Sequence, residues 1–241
     1  MSFSLSSLSR TQLRLRQEVL EISHRHHFPH LGSCLSMIDI IDSVYKVKRN
    51  SDIFVLSNGH AAVAYYVILR KNGLLKDSEL DKLMVHPDAC PSRGIHVSSG
   101  SLGQGLPIAI GWALADPQRK IYCTISDGEC MEGSIWESFR IMSELQLNNL
   151  CVIVNANGWG AYRPVDVKVL ERQIKALGFA ITNVDGHDTK ELISILKSHG
   201  KKVKNRLEVI VAHTTVEQYP FLVGQSAHYH VMSQENYEST R

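Results

Sequence analysis

Two turns in the middle of the sequence pair oxygen-bearing side chains with glycine. Ser126-Asp127-Gly128 closes an apolar run over 121–125, and Asn155-Ala156-Asn157-Gly158 closes another over 150–154. Between them Ile135, Phe139, Met142 and Leu145 recur at three- and four-residue spacing, which predicts a helix. Strand, helix and strand in that order predict a right-handed parallel crossover, whose two turns leave the same carboxyl edge of the sheet. Asp127 and Asn157 would then face each other across adjacent strand ends. Two hard oxygen ligands, with no Cys or His beside them, suit magnesium or calcium holding a phosphorylated ligand. The same residues are also ordinary turn formers, because glycine supplies positive φ and Asx side chains bond their own backbone.

A second candidate is Gly100-Ser101-Leu102-Gly103-Gln104-Gly105, which opens the apolar helix expected over 106–115. Such a loop can offer backbone N–H groups to a ligand. Its order fits neither the dinucleotide fingerprint nor a P-loop, and close helix packing through glycine explains it equally well. Histidine is the third: of twelve, His30, His60, His86, His187 and either His228 or His230 fall in expected loops or at element ends. Imidazole can bond sugar hydroxyls and move protons near neutral pH. His24, His26, His199 and His213 read as solvated surface residues. No histidine pair has zinc-ligand spacing with a third ligand in a fixed place, so the spacing does not favour zinc.

The elements that must position these groups alternate. Helices are expected over 8–27, 34–48, 61–70, 77–84, 168–176 and from the Asp185-Gly186-His187-Asp188 turn to about 197, with strands over 52–56, 179–184 and 206–212. This alternation predicts one α/β domain over 1–241, a doubly wound, mostly parallel sheet with helices on both faces. Residues 214–241 show no period and read as an irregular C-terminal segment. With 44% hydrophobic and 21% charged residues and a net charge of +2, the composition is that of a globular protein without a polyanion footprint. The longest apolar stretch is too short to span a bilayer, and the start lacks the flank and core of a secretory signal. Five scattered cysteines without a C-x-x-C pair suit a reducing, cytoplasmic compartment.

Several motifs then agree. FVLSNGHAA (54–62), HPD (86–88), GSLGQGLPIAIGWALA (100–115), SDGECMEGSIWES (126–138), VDGHD (184–188) and FPHLGSCLSMIDI (28–40) resemble, in order and spacing, the thiamine-diphosphate-binding part of transketolases. The resemblance runs over about residues 12–235 and is nearest to the N-terminal subunit of split transketolases. It implies a thiamine-diphosphate-binding fold and magnesium (or calcium or manganese) held by Asp127, Asn157 and the Trp159 carbonyl. Gly128 would let the backbone approach a phosphate, Gly100, Ser101 and Leu102 would meet the aminopyrimidine, and Glu132 would organise the site from behind. His30, His60, His86 and His228 would line the funnel to the reacting carbon and handle the donor's hydroxyls, with His60 and His228 also touching the cofactor. The cofactor itself would supply the electron sink for C–C cleavage.

The resemblance has departures. Ser126 stands where the family has glycine, and Asn155 where an Asp is common. The segment 216–221 replaces a K-G-x-G-like stretch, and Ala227-His228-Tyr229 stands for W-H-G, leaving His230 as a competitor of His228. These changes cluster where substrate would enter and point to a donor or acceptor different from that of the housekeeping enzyme. The pyrimidine-binding domain, which carries the activating acid in this family, has no counterpart in the sequence. The expected protein is therefore a transketolase subunit moving a two-carbon ketol unit between sugar phosphates or related sugars. It would act with a separate pyrimidine-domain subunit, as a heterotetramer. Alternatives are a deoxyxylulose-phosphate-synthase-like or 2-oxo acid decarboxylating subunit, or a non-catalytic cofactor-binding subunit.

Overall fold

The computed structural model describes residues 3–80, 82–200 and 206–241. Five strands, β1 (Ile53–Leu56), β2 (Ile121–Ser126), β3 (Leu150–Ala156), β4 (Ala180–Asp185) and β5 (Glu208–His213), form one parallel sheet in the order β1-β2-β3-β5-β4. Residue alternation along β3 explains why the sheet is covered twice. Cys151 and Ile153 join one core cluster, whereas Leu150, Val152 and Val154 join the other. A strand apolar on both faces must be buried on both, which is the pattern of a parallel sheet between helical layers.

The first layer contains α1 (Arg10–Arg25), α2 (Leu31–Val47), α3 (Ala62–Lys71) and α8 (Thr189–Ser198). The second contains α5 (Gly105–Ala115), α6 (Gly133–Leu145) and α7 (Val167–Ala176). Local chemistry sets several boundaries. Ser9 and Gln12 form a reciprocal capping box at the start of α1, and the Asp188 carboxylate accepts the first N–H groups of α8. The α2 helix is buried almost all round, so it behaves as a core rod rather than an amphipathic surface helix.

One expectation needs correction. The helix expected over 77–84 is described only as α4 (Asp77–Leu80); residue 81 lies outside the described residues, and i→i+3 bonds from Lys82 and Leu83 close the segment as turns. The segment 214–241 is irregular and packed against the core. Val216, Leu222, Ala227 and Met232 are buried in the first-layer core, a 3₁₀ turn spans Gly224–His228, and a capping box starts the short α9 (Gln234–Glu238). Its apolar residues follow no single period because the segment packs as loop and turns, so periodicity could not reveal it.

A buried polar cluster ties this segment to the helices. Arg16 donates to Asp39 Oδ2 at 2.6 Å and Oδ1 at 3.2 Å and to Gln218 Oε1 at 2.8 Å, and His187 Nδ1 lies 2.9 Å from Asp39 Oδ2. Burial alone would raise the Asp39 pKa, but bonds from His187 and Arg16 outweigh it and hold the carboxyl below its ordinary value. His187 is thus committed to structure.

Candidate functional site

The parallel register pairs Ser126 with Asn155, so the turns after β2 and β3 leave the sheet side by side. The adjacent strand ends expected for Asp127 and Asn157 are present. Asp127 is fully buried; its Oδ2 accepts the Gly158 N–H at 2.6 Å and its Oδ1 the Gly128 N–H at 3.0 Å. Asn157 Oδ1 accepts the Trp159 N–H at 3.0 Å. The Trp159 carbonyl oxygen lies 3.2 Å from His228 Nε2, which ties the C-terminal segment to the turn.

Asn157 and Trp159 open on a cleft with a cavity volume of about 80 Å³, and the fully buried Asp127 lies outside its lining. Asn157, Trp159, Gly128, Leu102, His60 and His228 all line it. Burial pushes the Asp127 carboxyl up to about 7 against the opposing pull of backbone N–H groups, and no ion pair to it is formed among the described residues. A buried carboxylate beside an amide side chain and a main-chain carbonyl, with no cation of its own, fits a hard divalent ion. A Cβ on Gly128 would come within 3.1 Å of Gly160 Cα, a contact tight enough to push the facing backbone back by a few tenths of an ångström. The donor set therefore fits magnesium and a diphosphate.

The acidic residue whose hydrogen bonds tie this edge together is Glu129, three residues before the expected Glu132. Glu132 is exposed and stands at the N-cap of α6 without a capping bond, outside the cleft lining. Glu129, three residues earlier, is fully buried. Its Oε1 accepts from Ser57 Oγ at 2.7 Å and the Gly103 N–H at 2.9 Å, and its Oε2 accepts the Ser126 N–H at 3.2 Å. Ser57 Oγ in turn accepts the Gly105 N–H at 3.1 Å. One carboxyl thus joins the end of β1, the glycine-rich loop and the turn after β2; burial pushes it up to about 7. No sequence signal separates Glu129 from any other turn-flanking acid.

The glycine-rich loop meets both of its readings. Leu102 lines the cleft, while Ser101 is exposed and outside its lining. At Gly100, φ is +132° and a Cβ would strike the His86 ring at 2.8 Å, so glycine is required there by packing.

The histidines sort clearly. His30 and His60 line the cleft, with ring centroids 4.5 Å apart, and His86 sits 4.8 Å from His60. His228 faces the cleft, whereas His230 stacks on Phe221 and bonds Asn236, which resolves the competition between them. Burial lowers His30 to about 4 and His60 to about 3, and lowers His86 and His228 as well, so these imidazoles are neutral at pH 7. His30 holds a left-handed backbone, φ 69°, uncommon for a residue with a Cβ. Two other histidine expectations are corrected. His187 belongs to the Asp39 cluster, and His199 is buried, its Nε2 3.2 Å from the Glu208 carbonyl oxygen.

Asn155 and Ser33 complete the floor. The Asn155 amide donates to Ser36 Oγ at 2.9 Å and its oxygen accepts from Thr214 Oγ1 at 2.6 Å. Both halves of this amide are thus satisfied. Ser33, Asn58 and Tyr229 also line the cleft and carry no sequence pattern that distinguishes them.

A parallel α/β sheet whose carboxyl edge carries an oxygen-ligand turn pair and a histidine-lined cleft defines a cofactor-binding domain. Residues 14–232 match the family described as transketolase, thiamine diphosphate binding domain, and the chain belongs to that family. It is 30% identical to one subunit of the apulose-4-phosphate transketolase of Actinobacillus succinogenes, over 77% of this chain and 76% of that one. It is 29% identical to 6-deoxy-6-sulfo-D-fructose transketolase subunit SqwG of a Clostridium species, over 83% and 82%. Human transketolase is 32% identical over 87% of this chain but only 37% of its own length, so the chain spans little more than a third of such relatives. The fold superposes on transketolase from Leishmania mexicana with a TM-score of 0.83 at 23% identity, covering 96% of this chain and 40% of that one.

Proposed function

We propose that this chain is the thiamine-diphosphate- and magnesium-binding subunit of a split transketolase, moving a two-carbon ketol unit between sugar phosphates or related sugars. The observation that carries this reading is the convergence of Asn157 and Trp159 on one cleft with His30, His60 and His228, with the buried Asp127 bonded to the Gly158 N–H of the same turn. Two relatives named as transketolase subunits, each matched over about three quarters or more of its length, support the split arrangement.

Asp127, Asn157 and Trp159 would hold the metal, and Gly128 would leave room for the diphosphate. Thiamine diphosphate, when bound, supplies the electron sink for C–C cleavage. The chain's own residues do the rest. His30 and His60, neutral at pH 7, each present one ring nitrogen that accepts a proton and one that donates, which suits hydroxyls of a ketose donor. The His228 ring, bonded to the Trp159 carbonyl, ties the substrate side of the cleft to the metal side. The pyrimidine-binding half of the site would come from a separate polypeptide, in a heterotetramer. A reducing, cytoplasmic setting suits five free cysteines, four of them buried. Among the described residues no helix is long and apolar enough to cross a membrane.

The test is ketol transfer from a panel of ketose phosphates and unphosphorylated ketoses, by the chain alone and with a co-purified pyrimidine-domain subunit. Turnover only with both chains, thiamine diphosphate and magnesium present is the expected result. Turnover by this chain alone would remove the split-site reading.

A further inference from the structure

The sequence spacing offers no zinc pattern, yet the fold assembles one. His30 precedes α2, His60 lies in the 3₁₀ turn after β1, and His86 comes from the loop ahead of the glycine-rich stretch. Thirty and twenty-six residues separate them along the chain, so no local motif marks the group. One ring nitrogen from each lies within 4.8 Å of the other two, and the rings are packed edge to face or tilted. Among the described residues no other trio of histidine, cysteine or acidic side chains meets this condition.

We propose that His30, His60 and His86 form a second metal site, made only of imidazole nitrogens, that takes a borderline transition-metal dication such as Zn²⁺. A tetrahedral zinc with bonds of about 2.0–2.1 Å holds its nitrogens about 3.4 Å apart. The widest pair therefore closes by roughly 1.4 Å, about 0.7 Å per ring, which small χ rotations supply. His86 offers an independent reason. Its Nε2 is screened from solvent and has no hydrogen-bond partner among the described residues, an arrangement that native structures rarely leave unexplained. A metal bond made through that nitrogen would give it a partner.

The donor set separates this site from the Asp127 turn. Three neutral nitrogens select zinc, nickel, cobalt or copper, whereas carboxylate, amide and carbonyl oxygens select magnesium. Two different ions can then occupy one cleft without competing for ligands. His30 and His60 line the cleft, so an ion held by them would sit at its edge. Zinc there would occupy the rings assigned to substrate hydroxyls and inhibit ketol transfer. That consequence rests on the proposed function; binding itself does not.

The experiment uses the full chain without an affinity tag. Zinc is titrated calorimetrically in excess magnesium, and Co²⁺ serves as a spectroscopic substitute that reports tetrahedral nitrogen ligation. One zinc per chain is expected, with the Co²⁺ signal lost on adding zinc. His86→Ala and His30→Asn should each weaken zinc binding at least tenfold, and Asn tolerates the left-handed backbone at position 30 if another residue there fails to fold. Asp127→Ala should leave zinc affinity unchanged. Absence of a zinc site, or one that survives both histidine variants while circular dichroism shows them folded, overturns the proposal. In the assembled enzyme, micromolar zinc should inhibit and a chelator restore turnover; zinc bound with turnover unchanged overturns the inhibitory role. Zinc bound as described in a chain that supports no ketol transfer with any partner leaves the metal site standing and removes the proposed function.

Discussion

His228 Nε2 lies 3.2 Å from the main-chain carbonyl oxygen of Trp159, joining a residue of the C-terminal segment to the oxygen assigned to the metal. A carbonyl has two lone pairs, so the imidazole can hold one while the ion takes the other. Replacing partners that orient metal ligands typically costs about 10- to 100-fold in affinity. His228→Ala should therefore weaken magnesium-dependent cofactor binding within that range, whereas His230→Ala should not. Calorimetry on the two variants distinguishes them, and equal effects would remove His228 from the site.

Asp127 ties metal binding to pH. Its carboxyl, ordinarily near 3.8, is pushed up to about 7 by burial in the metal-free chain. A group whose folded pKa is raised contributes stability that is full below the unfolded value and lost as pH rises through the folded one. A divalent ion replaces the proton, so magnesium should raise the melting temperature more at pH 8 than at pH 6. Magnesium affinity should rise as pH climbs through about 7. Asp127→Ala should abolish both effects while leaving the far-ultraviolet dichroism intact.

Glu129 should behave as a positioning residue. Removing it strands the Gly103 and Ser126 N–H groups and the Ser57 hydroxyl in a buried site, at about 1–3 kcal/mol for each group left unsatisfied. Glu129→Ala should lower the denaturation midpoint and loosen the glycine-rich loop, weakening cofactor affinity. Glu129→Gln keeps one acceptor oxygen and should recover most of both losses. Glu132→Ala, on the exposed side, should cost little stability in the isolated chain. Equal stability of the Glu129→Ala and Glu132→Ala chains would contradict this ranking.

The Arg16–Asp39 pair tests the link between the helices and the C-terminal segment. Both side chains are fully buried, so Asp39→Ala leaves an uncompensated charge, and breaking such a pair costs about 3–5 kcal/mol. Because the Asp39 pKa is lowered in the folded chain, its contribution is present above the unfolded value of 3.8 and lost as pH falls through the folded one. Wild type should thus lose stability on acidification below that range. Asp39→Asn should lose less over the same interval, as read by urea midpoints across pH.

Much of this protein is determined by sequence periods of a few residues. The near-continuous apolar runs of β2 and β3, the helical spacing between them and the turn chemistry at Asp127 and Asn157 are local properties. Each limits the backbone without reference to distant parts, so the parallel sheet, the paired turns and the motif order can be read directly from the chain. The tertiary structure alone decided which distant residues meet. It chose His228 over His230 because the packing of the C-terminal segment, which has no period, sets its register against the sheet. It buried Glu129 and exposed Glu132 because the turn after β2 aims one inward and the next helix aims the other out. It assigned His187 to Arg16 and Asp39, and set the close approach of the His30, His60 and His86 rings, whose shared funnel the motif resemblance already implied. The distances and partners in those meetings come from layer packing across long stretches of chain, which local periods do not encode.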